Sequence, residues 1–135
     1  MSLEEAQAFW QYATEDLTAA RLLVDSSGIA PRLVCVLAQQ AGEKALKTAL
    51  IVADIEVPYH HNLDGLRDLL PLSWRVKITH PALKDLTDWA VEARYPGDSP
   101  DATLEDARLA LRLAEALIAT VADDVRSHGL PVAGP

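Results

Sequence analysis

The chain has 135 residues, half of them hydrophobic and few of them aromatic, and a formal net charge of −8. That length suits one domain with a proper core, and the apolar content excludes a disordered chain. The acidic balance argues against wrapping nucleic acid by general electrostatics, so nucleic acid is not an expected partner.

A first helix is predicted over residues 3–25. Ala6, Trp10, Ala13, Leu17, Ala20 and Val24 recur three and four apart, a bundle seam widened by Phe9 and Leu23. Asp16 falls between those two on the helical wheel. A carboxylate so near the core needs a basic partner or a path to water, and its position alone favours water. Ser26-Ser27-Gly28 ends this helix, and Pro31 suits the first turn of a second one running to about Asp54. The short connection makes the two an antiparallel hairpin.

The second helix is the most informative segment. Gln39, Gln40, Glu43, Lys44, Lys47 and Thr48 cover one side, and Ala38, Ala41, Gly42, Ala45 and Ala49 form a band of small residues opposite. Leu33, Val36, Leu37, Leu50 and Ile51 fall among the polar residues. Such a helix must be covered there too, by another element or a second subunit, and a homodimer is the expectation. Lys44, set among Leu33, Leu37 and Ile51, is expected to be held by a carboxylate. Asp16 is one candidate, and Glu43 of the partner subunit is another. Glu43 with Lys47 reads as local i,i+4 helix support worth a few tenths of a kcal/mol, roughly.

Pro58 breaks the chain, and Asn62 or His61 caps a short helix carrying Leu63, Leu66, Leu69 and Leu70, which Pro71 stops. A fourth helix is predicted over residues 81–93 with Leu83, Leu86, Ala90 and Ala93 facing inward. Residues 95–101 read as a loop. Thr103 with Asp106 resembles a capping box opening a last helix to about Arg126. Its seam is Ala107, Ala110, Leu111, Ala114, Leu117, Ile118, Val121 and Val125. The expected fold is all-α, an antiparallel up-and-down helical bundle of four long helices and one short one. Residues 1–126 make the domain, and residues 127–135 a flexible tail.

The chemistry is sparse. No Gly-rich phosphate loop, H-E-x-x-H or nucleophile elbow is present, and no cofactor or metal is expected. The single cysteine, Cys35, excludes an internal disulfide framework, and its apolar neighbours point to an inert packed thiol. No leader-like pattern opens the chain, and no stretch reaches the ~18 uncharged apolar residues of a membrane span, so a cytoplasmic location is expected. His60 and His61 are adjacent and point apart on any regular element, which suits loop ordering or helix capping better than metal binding. Arg94-Tyr95-Pro96 places a cation and an aromatic ring at the end of a helix. The position is electrostatically comfortable for an arginine, and it also suits a phosphate or partner contact. Arg75 and His80 could together cut RNA, the His moving a proton and the Arg stabilising the charged phosphorane.

Several of these stretches, taken in order, resemble the prokaryotic HEPN domain family. They are Gln40-Ala41-Gly42-Glu43-Lys44-Ala45-Leu46-Lys47, His61-Asn62-Leu63 with Leu66, and Ala93-Arg94-Tyr95-Pro96. The helix-one pattern Ala13, Asp16, Leu17, Ala20 is similar too, and the resemblance covers about residues 3–126. It implies a dimerising antiparallel bundle that partners a minimal nucleotidyltransferase encoded nearby, often as a toxin–antitoxin pair. Some members of the family are RNases with an R-x4-6-H motif; others bind nucleotides or act as scaffolds. Here Arg94 is followed by no histidine through Pro100. The expectation is therefore a binding module with no catalytic residue. Lys44, Lys47, His61, Arg94 and Tyr95 are its nucleotide- or partner-binding candidates. The alternative is a metal-independent RNase using Arg75 and His80, which have the family spacing but lie earlier in the chain.

Overall fold

The computed structural model describes residues 2–92 and 101–133. Six helices lie within them: α1 (Leu3–Leu23), α2 (Pro31–Val52), α3 (Leu63–Asp68), α4 (Arg75–Thr79), α5 (Lys84–Glu92) and α6 (Leu104–Ser127). No strand occurs among the described residues. None of the helices is long and apolar enough to cross a membrane.

Local chemistry sets the ends. Ser2 caps α1 by accepting from the Glu5 N–H at 3.2 Å, and Pro31 occupies the first turn of α2. α2 stops two residues earlier than expected because Asp54 turns left-handed (φ 59°), which lets the Ile55 N–H reach the Leu50 carbonyl at 2.9 Å. Thr103 and Asp106 form the expected reciprocal capping box at the start of α6. Gly129 (φ 99°) ends it, and the Leu130 N–H bonds the Val125 carbonyl at 2.9 Å. The segment beyond α6 folds back on α1. Leu130 is buried, and Gln7 donates to the Pro131 carbonyl at 3.2 Å.

α1 and α2 pack as an antiparallel hairpin, with Asp16 beside Lys44. α6 also runs antiparallel to α1, since Gln7 meets Pro131, Arg21 meets Glu115 and Asp25 meets Arg108. α2 is the central helix and contacts α1, α3, α5 and α6. It packs tightly at Gly42, where an added Cβ would lie 3.1 Å from Leu117 of α6 and 3.4 Å from Leu86 of α5.

Two expectations change here. The described bundle has three long helices, α1, α2 and α6, while α5 begins at Lys84 and nine of its residues are described. Leu83 and Leu86 are buried as expected, whereas Ala90, Ala93 and the loop at 95–100 lie outside the described residues and side chains. The second change is α4, a helix of five residues that nothing in the apolar spacing announces. Its N-terminus is capped from a distance: the buried Asp124 carboxylate of α6 accepts from the Arg75 N–H (3.1 Å) and the Val76 N–H (2.9 Å). Trp74, also buried, stacks on His128 with centroids 4.2 Å apart.

The apolar excess of α2 is covered within the chain at two of its five residues. Leu50 and Ile51, two of the residues that argued for a second subunit, are buried. Of the α2 residues that argued for a cover, Leu33 is exposed and Val36 and Leu37 are half-buried. Other elements of the same bundle therefore cover Leu50 and Ile51, and leave Leu33 open.

Candidate functional site

The polar side of α2 meets the connector between α2 and α3 around one carboxylate. Glu43 keeps only 5% of its side chain exposed. One oxygen, Oε1, accepts from Gln39 Nε2 at 3.0 Å and lies 2.7 Å from His61 Nδ1. The other, Oε2, accepts from Lys47 Nζ at 3.0 Å. Gln39 is fully buried, and its own carbonyl accepts from Gln40 Nε2 at 2.7 Å. The residues at 39, 43 and 47 are four apart and so share a stripe of the helix. His61 is brought to that stripe by the connector, because Asn62 caps α3 by accepting from the Gly65 N–H at 3.1 Å.

Burial pushes the Glu43 carboxyl up, but the donors Gln39, His61 and Lys47, with the Lys47 charge, outweigh it. The group is held below the usual carboxylate range and stays ionised at neutral pH. An ionised carboxylate can only accept, so His61 donates its Nδ1 proton to it. The Glu43–Lys47 pair is therefore more than surface helix support. It is buried, because the connector and α3 close over it, and it carries a third and a fourth partner.

Lys44 belongs to a different carboxylate. Its Nζ lies 2.5 Å from Asp16 Oδ2, and 6.0 Å from the centroid of the Tyr12 ring. This is the first of the two expected partners, and it corrects the reading of Asp16 as a carboxylate reaching for water. Both side chains are about four-fifths covered. We predict that Lys44→Met alone costs about 1–2 kcal/mol, and that adding Asp16→Asn recovers most of it, since the lone carboxylate is what suffers. Denaturant unfolding of the two variants measures this; equal cost in both would place Lys44 outside any pairing.

The structure thus unites Lys47 and His61 and sets Lys44 apart on Asp16. Arg94 and Tyr95 lie outside the described residues. Arg75 and His80 are not brought together. Arg75 is exposed at the start of α4, while the half-buried His80 ring turns to α6, with Nε2 2.9 Å from Thr120 Oγ1. Burial pushes the His80 imidazole down, and the nearby Arg67 charge pushes it further. The Arg67 guanidinium is itself buried and engaged by Asp64, Asp68 and the His80 carbonyl. This is a structural buttress between α3 and α4 rather than an open acid–base pair.

Among the described residues no group of three or more His, Cys, Asp or Glu side chains could hold a metal ion. Cys35 is fully buried, and burial pushes its thiol up to about 12, as an inert packed thiol requires. Two functional-looking features escaped the sequence. Gln39 was readable as a partner of Glu43 from its i,i+4 spacing, but its complete burial depends on how the bundle packs around α2. The set Trp74, Asp124 and His128 joins residues some fifty positions apart and left no local signal.

A family model described as HEPN domain matches residues 6–125. No curated protein and no solved structure matches the chain.

Proposed function

The chain belongs to the HEPN domain family, and from that premise we propose that it is a non-catalytic, dimeric binding module in the cytoplasm. Its further partner in this reading is a minimal nucleotidyltransferase encoded nearby, the two acting as a toxin–antitoxin pair. HEPN domains are known to dimerise. The observation that carries the reading is the neutralised lysine pair. Lys44 is held by Asp16 and Lys47 by Glu43, so neither ammonium is offered to a phosphate without first leaving a carboxylate. Partner contact therefore ranks ahead of nucleotide binding at Lys44, Lys47 and His61, and Arg94 and Tyr95 join the same proposal from outside the described residues.

The face around Asp16 and Lys44 supports this. Tyr12 (54% exposed) and the half-buried Phe9 lie on the α1 side, and Leu33 (45% exposed) and half-buried Leu37 on the α2 side. Apolar side chains around a closed ion pair suit a protein surface that docks against another protein. We propose this face as the meeting surface of two copies.

The non-catalytic reading is supported by the His80 ring, which is bonded to Thr120 rather than turned to Arg75. We predict no cleavage of a labelled RNA by the purified chain. Cleavage by the wild type that vanishes in His80→Ala would overturn the non-catalytic assignment. Cleavage persisting in both would point to another site.

A further inference from the structure

We propose that His61 is a phosphoryl-acceptor site, its Nε2 presented to solvent as a nucleophile by the buried Glu43 carboxylate. The partners of the four histidines fix where their ring protons sit. His61 gives its Nδ1 proton to ionised Glu43, which leaves the lone pair on Nε2. Its side chain is 52% exposed, against 5% for the Glu43 side chain it is bonded to. The ring makes no second hydrogen bond among the described residues.

The other three histidines are arranged differently. His60 uses its Nδ1 lone pair to accept from the Asn62 N–H at 3.3 Å, so its proton sits on Nε2. Thr120 donates its hydroxyl proton to the Ala116 carbonyl, so His80 must donate Nε2–H to Thr120. His128 donates Nδ1–H to the Asp124 carbonyl at 2.8 Å and shares the tautomer of His61, but its acceptor is neutral and its ring is stacked on Trp74. Only His61 combines a free Nε2 lone pair with a carboxylate behind the ring.

That carboxylate matters for the chemistry. When Nε2 attacks a phosphorus centre, the N–P bond forms and the bond from phosphorus to its leaving group breaks. The imidazole becomes cationic while Nδ1 keeps its proton, and Glu43 neutralises the charge that develops there. The class of donor is a small or protein-borne phosphoryl compound with a good leaving group. This site goes beyond the binding role and does not require dimerisation.

Phosphoramidate tests it with the intact chain. Nε2 attack displaces ammonia, which takes its proton from solvent, and phosphorus NMR with peptide mapping at neutral pH locates the product. His61 should be labelled first, roughly tenfold faster than His128, and Glu43→Gln should remove most of that advantage. Nitrogen–proton correlation spectra of the wild type should show the Nδ1–H tautomer at His61 and the Nε2–H tautomer at His60. Labelling of His61 no faster than His128 would overturn the proposal, as would an Nε2–H tautomer at His61 or an unchanged rate in folded Glu43→Gln. If that variant does not fold, the wild-type rate comparison and tautomer decide alone. Light scattering on the same samples reads the dimer separately, so failure of one proposal is distinguishable from failure of the other.

Discussion

Glu43→Leu is expected to cost about 2–4 kcal/mol of folding stability at neutral pH, because three donors lose the acceptor around which they are arranged. The Gln39 amide is fully buried and has no route to water, while Lys47 and His61 can turn outward and limit the loss. The cost should depend on pH with a definite sign. The folded-state carboxyl is held below its ordinary value of 4.5, so its contribution is complete above that value and is lost as the pH falls through the folded one. The gap between variant and wild type should therefore narrow on acidification below pH 4.5. Urea unfolding at a series of pH values measures it. A gap that is small at neutral pH, or that widens in acid, would show that Glu43 is not the hub of the connector.

Gly42→Leu is expected to be the most damaging single change on α2, at about 3 kcal/mol or more, since it forces a large side chain into the contact of four helices. The Cβ alone would meet Leu117 at 3.1 Å, Leu86 at 3.4 Å and Leu63 at 3.6 Å. Gly42→Ala should stay within about 1 kcal/mol of the wild type. The gain in helix propensity is offset by the shift that the Leu117 methyl must make. Thermal melts of the two variants separate these outcomes. Equal tolerance of alanine and leucine would mean that α2 does not approach α5 and α6 as closely as described.

Much of this architecture was legible from apolar spacing. Every predicted seam residue of α6, from Ala107 to Val125, is buried, and so are Ala6, Trp10, Ala13, Leu17 and Ala20 of α1. Seams of this kind are local, because positions three and four apart share a face whatever the rest of the chain does. What was not legible depends on residues far apart. α4 is a helix because Asp124 caps it from forty-eight or forty-nine positions away, so no property of residues 75–79 alone announces it. The wheel put Gln39 with the polar residues, yet it is the most deeply buried of them along with Thr48, because α2 is packed by α1, α3, α5 and α6. Leu50 and Ile51 are likewise buried within the bundle. At the site, the sequence offered Asp16 as one of two partners for Lys44, while reading Asp16 itself as reaching water, and it named Lys47 and His61. It did not join those two, since their common partner lies eighteen residues before His61.

The dimer thus rests on the α1–α2 face, which holds Leu33 and Leu37 of the apolar excess of α2, and its mass in solution tests the central claim most directly. Light scattering behind a sizing column at micromolar concentration should give twice 14.6 kDa for the wild type. Tyr12→Glu with Leu33→Glu, both on exposed positions of the proposed face, should move the mass toward 14.6 kDa without loss of helix content. A wild-type chain that runs strictly at 14.6 kDa would contradict the account.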